Sequence, residues 1–194
     1  MTYSRLEAEA QHFYLEFSKS MARNKKSGRW ISELVISELA VKTMTAEMLV
    51  KEYSEALFLA LEADSAQVED SIRYFILGTV IYSINNKLDA AAVLREAIDA
   101  CLFNYVDRDM NSLCGILKLF KRTKGQAARY LKKQGMGTND IADILGKGFA
   151  DGINKAFDAS GLTNQQKKEA IDSAGVSRWY KGYFIDYIKD AFWP

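Results

Sequence analysis

The residues of this chain best suited to binding chemistry form a run of cations between Lys118 and Lys133. These sixteen consecutive residues carry seven positive charges and no negative one. Clusters of lysine and arginine bind the phosphate backbone of nucleic acids, and each phosphate contact makes the affinity fall as salt rises. This basic stretch predicts DNA or RNA binding through six side chains: Lys121, Arg122, Lys124, Arg129, Lys132 and Lys133.

The distribution of charge along the chain offers a second interpretation of the basic stretch. The formal net charge is only +1 and the isoelectric point is about 7.7, whereas a nucleic-acid-binding domain usually has a value above roughly 9. Residues 31–70 contain nine acidic and two basic residues. The basic stretch can therefore pair with this acidic region inside the molecule, or form a solvated helix edge, without any partner.

Two short segments have the spacing of helix-turn-helix units that read DNA. Residues 138–148 resemble the first helix and turn of such a unit. Residues 170–180, with Ala174-Gly175-Val176-Ser177-Arg178, are similar to the turn of bacterial repressor families such as the TetR family. In such units the second helix buries an aliphatic side chain about six residues after the turn glycine, but Gly152 and Lys181 stand there. We interpret both segments as ordinary helix pairs joined by tight turns, with DNA reading as the alternative.

The segment 179–193 contains seven aromatic residues in fifteen positions. Aromatic side chains dominate protein interfaces because they bury a large area at little entropic cost. We predict a partner-binding surface at four of them: Trp179, Tyr183, Tyr187 and Trp193. The alternative is a core helix that is apolar nearly all round. A membrane surface is not favoured, because Lys181, Asp186, Lys189 and Asp190 do not make a strongly cationic polar face.

The sequence offers little for catalysis. His12 is the only histidine, and Cys101 and Cys114 are too far apart for a Cys-x-x-Cys pair, so we predict no metal site. No phosphate-binding loop, nucleophile elbow or dinucleotide-binding fingerprint is present. We predict that the protein is not an enzyme and needs no cofactor. Both thiols are expected to be free, as in a reducing compartment.

The elements that must position these residues are nearly all helical. Apolar residues recur at helical spacing through most of the chain, and the single proline is the last residue, Pro194. Nine of the twelve glycines lie between residues 111 and 175. We therefore predict an all-α protein with about five longer N-terminal helices followed by about six shorter ones, near 109–121, 124–134, 138–145, 149–159, 163–174 and 177–192.

This change of texture divides the chain into two parts. We predict an N-terminal helical bundle at 1–106 and a C-terminal region of short helices at 107–194, which can share one core. The longest apolar stretch is much shorter than the roughly 20 residues that cross a bilayer, and the N-terminus does not look like a secretory signal. We expect a cytoplasmic protein that binds a protein partner, as an inhibitor, immunity protein or adaptor does. DNA or RNA binding is the alternative.

Overall fold

A computed structural model describes residues 68–85, 87–106 and 109–181 of the chain. Its longer helices are α1 (Val68–Asn85), α2 (Ala90–Val106) and α3 (Met110–Lys133). A short helix α4 (Thr138–Ile141) then leads through a π-helical turn (Ala142–Gly146) into α5 (Lys147–Ala159). Helix α6 (Asn164–Ala174) and a 3₁₀ turn (Ser177–Trp179) follow. These residues contain no strand, which confirms the all-α prediction for this part of the chain.

Local sequence signals explain where several helices begin and end. The carboxylates of Asp89 and Asp109 accept backbone N–H groups at the first turns of α2 and α3. Thr163 and Gln166 form a reciprocal capping box at the start of α6. Gly175 ends α6 with a φ of 68°, a left-handed conformation that favours glycine.

Helix α3 is one continuous element, although the sequence predicts two helices here with a break at 122–123. Thr123 satisfies its hydroxyl within the helix, because Oγ1 donates to the carbonyl oxygen of Leu119 at 2.8 Å. Gly125 also lies inside the helix. The predicted helices at 138–145 and 149–159 likewise run on through the π-helical turn. Of the helix predicted at 177–192, the structure describes residues up to 181, and these contain the 3₁₀ turn at Ser177–Trp179.

Helices α2 and α5 run parallel and approach each other closely through two glycines. A Cβ atom on Gly148 would lie 3.1 Å from Leu94 Cδ2, and one on Gly152 would lie 2.8 Å from both Ile98 Cβ and the Arg95 carbonyl oxygen. Because later residues of α5 meet later residues of α2, the two helices point the same way. Glycine at both positions allows the two backbones to come together.

The core combines side chains from all the longer helices. Helix α3 packs against α1 and α6, and Phe120 of α3 meets Phe149 of α5 edge to face at a centroid distance of 5.6 Å. This cluster contains residues from both sides of the predicted boundary at 106. The division at that boundary stays a prediction, because residues 1–67 lie outside the described part. Among the described helices, none combines the length and apolarity needed to cross a membrane.

Candidate functional site

Helix α3 presents a row of cations along one side, which we name the basic face. Its residues recur at intervals of three, four, seven and eleven positions, so a helix of 3.6 residues per turn brings them to one side. The basic face has six residues, of which five are exposed and one, Lys121, is partly buried. The members are Lys118, Lys121, Arg122, Arg129, Lys132 and Lys133.

The basic face contains five of the six residues predicted for nucleic-acid binding. It adds Lys118, which the prediction omitted although it lies three and four residues before Lys121 and Arg122. No acidic residue occurs anywhere in α3. The face is therefore a ridge of positive charge about 22 Å long, at a rise of 1.5 Å per residue over fifteen steps.

Lys124 is a correction to the predicted site, because it is buried with no exposed surface. It lies four residues after Phe120 and seven before Leu131, on the apolar side of α3. Its Nζ sits 4.5 Å from the ring centroid of Trp179, within the range of a cation–π interaction. Lys124 therefore contributes to packing between α3 and the 3₁₀ turn and does not face a ligand.

Within the described residues, Glu69 of α1 links the acidic region to the basic stretch through two contacts. Glu69 on α1 pairs with Arg122, with Oε2 3.3 Å from Nε, and its Oε1 accepts a hydrogen bond of 2.7 Å from Gln126 Nε2. The prediction named neither Glu69 nor Gln126 as site residues. The acidic region and the basic stretch therefore pair with each other at Glu69 and Arg122. The acids between residues 31 and 67 lie outside the described part.

The ammonium group of Lys121 lies near the C-terminal end of helix α6. A Cβ atom on Gly175 would lie 3.3 Å from Lys121 Nζ, which places this ammonium beside the C-terminus of α6. The C-terminal end of a helix carries partial negative charge from its carbonyl groups and stabilises a nearby cation. Lys121 Nζ therefore lies where the C-terminal end of α6 favours a cation.

Trp179 is the second correction, since it is fully buried and packs against Phe149 at a centroid distance of 5.5 Å. It belongs to the core and not to a surface that a partner can reach. The other three predicted partner contacts, Tyr183, Tyr187 and Trp193, lie outside the described residues.

A buried amide anchors the chain where this aromatic segment begins. Asn154 Nδ2 donates to the carbonyl oxygen of Trp179 at 2.6 Å, and Asn154 Oδ1 accepts the backbone N–H of Lys181 at 3.0 Å. Lys181 also forms an ion pair with Asp158 at 2.7 Å. Residues 179–181 are therefore attached to α5 at three points.

Neither helix-turn-helix resemblance gives a DNA-reading unit in the described residues. Gly146, the supposed turn glycine of the first, has helical angles (φ −62°, ψ −53°) and the helix runs through it. Gly152 packs against Arg95 and Ile98 of α2, so the packing on a first helix that such a unit requires is not formed at this position. In the second segment Gly175 does form a turn, but a 3₁₀ turn with the buried Trp179 follows.

A cleft of about 340 Å³ lies beside the parallel pair α2 and α5. Its charged lining has both signs and comes from Asp89, Arg95, Asp143, Lys147 and Asp151. Asp89 already caps α2, and Arg95 pairs with Glu96 at 2.9 Å. Mixed, solvated charges of this kind make a weaker recognition surface than the single sign of the basic face.

The groups that serve as nucleophiles or metal ligands are dispersed in the described structure. Cys101 and Cys114 are both free and buried, and burial raises the pKa of the Cys101 thiol well above its ordinary value. Between residues 68 and 181, apart from the gaps at 86 and 107–108, no three His, Cys, Asp or Glu side chains come together as a metal site would require. His12 lies outside this range.

Comparison of the chain with protein-family models, with curated proteins and with solved structures found no match. The function must therefore be inferred from the chain's own surface. Within the described residues, the basic face of α3 combines cations of one sign on one side of a helix that contains no acid.

Proposed function

We propose that this protein is a non-catalytic nucleic-acid-binding protein that contacts the phosphate backbone through the basic face. The observation that carries the proposal is the arrangement of five exposed cations and one partly buried cation on one side of a helix without any acid. Phosphate oxygens receive half or more of the hydrogen bonds in protein–DNA complexes, and arginine and lysine are principal donors.

The dimensions of the basic face suit a nucleic-acid backbone. Duplex DNA carries one negative charge per about 1.7 Å of its axis, so a ridge about 22 Å long passes several phosphates. If three to five are neutralised, affinity should fall about 40- to 500-fold between about 50 and about 200 mM salt. The low net charge of the whole chain does not oppose this, because most of the acids that offset the cations lie on other segments.

The test is fluorescence anisotropy of the full chain with labelled duplex DNA, single-stranded DNA and RNA over that range of salt. Replacing Lys132 and Lys133 by Gln should make the slope of log affinity against log salt shallower by about two units. The matched control replaces Lys167 and Lys168 of α6, which removes the same charge outside the basic face. Absence of binding at about 50 mM salt, or equal effects of the two double variants, would refute the proposal.

A second candidate function is binding of a protein partner, of the inhibitor, immunity or adaptor type. One described observation favours it: Phe103 on α2 is 57% exposed, and aromatic side chains are enriched at the centre of protein interfaces. The sequence-based candidates Tyr183, Tyr187 and Trp193 remain predicted partner contacts for this function. Alanine at Phe103 or Tyr183 should then weaken the complex while leaving the melting temperature unchanged. A complex that survives both changes would argue against this function.

A further inference from the structure

Two donors on α3 hold one carboxylate from α1. Arg122 and Gln126 are four residues apart and so lie on the same side of the helix, one turn apart. Arg122 Nε approaches Glu69 Oε2 at 3.3 Å, and Gln126 Nε2 donates to Glu69 Oε1 at 2.7 Å. Each oxygen of the carboxylate therefore has its own donor.

A phosphodiester offers the same chemistry as this carboxylate. It presents two anionic oxygens side by side, and arginine and side-chain amides are common donors to such oxygens. The Glu69 carboxylate occupies the place that the two oxygens of a backbone phosphate would take. The pair Arg122–Gln126 is thus a formed anion-binding subsite at the basic face.

We propose that Arg122 and Gln126 form a phosphate-binding subsite of the nucleic-acid surface, and that Glu69 occupies it as an internal competitor. This inference rests on the proposed nucleic-acid function and adds a regulation to it. A nucleic acid that binds along α3 displaces Glu69 from Arg122 and gains one phosphate contact. Glu69 therefore lowers the affinity of the free protein for any polyanion.

The contact has the properties of one that can be displaced. The Arg122 side chain is 56% exposed and that of Glu69 is 33% exposed, and ion pairs near solvent contribute little to stability. The ion pair therefore adds little to the cost of exchanging the carboxylate for a phosphate.

The experiment compares Glu69→Gln with the wild-type chain by anisotropy on a labelled duplex of about 20 base pairs. Loss of a competitor held by a partly exposed pair should raise affinity about two- to fivefold. The salt slope should change by much less than about 0.9, the value for one phosphate, because Arg122 contacts a phosphate in both complexes once Glu69 is displaced. Glu96→Gln is the matched control, because Glu96 also pairs with a cation, Lys155, but lies on α2 outside the basic face.

Arg122→Gln decides whether the gain comes from the subsite itself. This change should lower the affinity of the wild-type chain less than that of Glu69→Gln, because displacement of Glu69 offsets part of the phosphate contact in the wild-type chain. It should also abolish the gain that Glu69→Gln gives. Equal gains from Glu69→Gln and Glu96→Gln, or a gain that survives Arg122→Gln, would overturn the subsite while leaving nucleic-acid binding intact. If no variant binds the duplex, single-stranded DNA or RNA, the proposed function falls and the subsite with it.

Discussion

Replacement of Gly152 by alanine tests the close pairing of α2 and α5. The new Cβ would lie 2.8 Å from the Arg95 carbonyl oxygen and from Ile98 Cβ, and neither atom belongs to the flexible end of a side chain. Overpacking of this kind costs about 1–3 kcal/mol. Alanine also gains about 1 kcal/mol over glycine in a helix interior. With contacts this short we expect a net loss of about 1–2 kcal/mol in the free energy of unfolding.

Gly115→Ala is the matched control, because Gly115 lies within α3 and a Cβ there meets nothing within 4 Å. This change should add only the higher helix propensity of alanine over glycine, without a steric clash. It should therefore raise the free energy of unfolding by about 1 kcal/mol. Gly148→Ala, with contacts of 3.1–3.2 Å, should fall between the two and change stability little.

The assay is urea or thermal unfolding followed by circular dichroism. A gap of about 2–3 kcal/mol between Gly115→Ala and Gly152→Ala corresponds to roughly 4–12 °C in melting temperature for a chain of this size. The order of stability should be Gly115→Ala, then wild type and Gly148→Ala, then Gly152→Ala. If Gly152→Ala were as stable as Gly115→Ala, the close approach of α2 and α5 at Gly152 would be refuted.

Two further predictions concern the core and the surface ion pairs. Trp179→Ala should cost about 3–5 kcal/mol in urea unfolding, because it empties a buried site beside Phe149 and Lys124; unchanged stability with lost partner binding would return Trp179 to the surface. A hydrogen bond from Lys155 is the main cause that lowers the pKa of the Glu96 carboxyl from its ordinary 4.5. A carboxyl whose pKa is lower in the folded than in the unfolded state stabilises the fold at pH values above its unfolded-state pKa. The free energy of unfolding of the wild type should therefore exceed that of Glu96→Gln by about 0.2–1 kcal/mol at pH 7. That difference should disappear as pH falls from 4.5 through the lower folded-state pKa of Glu96. Unfolding curves above and below that range that show the same difference would contradict the ion pair.

Helical periodicity was sufficient to predict the class of the described part, because apolar spacing is a property of each segment alone. Helix boundaries were harder, since Thr123 and Gly125 are residues that often interrupt helices. Here Thr123 bonds back to Leu119 and the surrounding core keeps α3 intact. The π-helical turn at 142–146 has no sequence signal that distinguishes it from an ordinary helix end.

The candidate site was predictable as far as it depends on one helix. The spacing of Lys121, Arg122, Arg129 and Lys132 fixes their common side once α3 is continuous, and the same spacing adds Lys118. The same spacing puts Lys124 on the side of Phe120 and Leu131, so a helical projection of the sequence predicts that Lys124 is buried. The pairing of Glu69 with Arg122 and Gln126 depends on how α1 lies against α3, and spacing within a single helix contains no information about that.

The parallel pairing of α2 and α5 also has a consequence for synthesis of the chain. Leu94 and Ile98 on α2 are covered by Gly148 and Gly152 of α5, which follow about 50 residues later in the sequence. At a translation rate of about 5–20 residues per second, this apolar side of α2 stays exposed for about 3–10 s before α5 has been synthesised. During that interval the nascent chain presents a hydrophobic helix surface that chaperones recognise and that promotes aggregation in their absence.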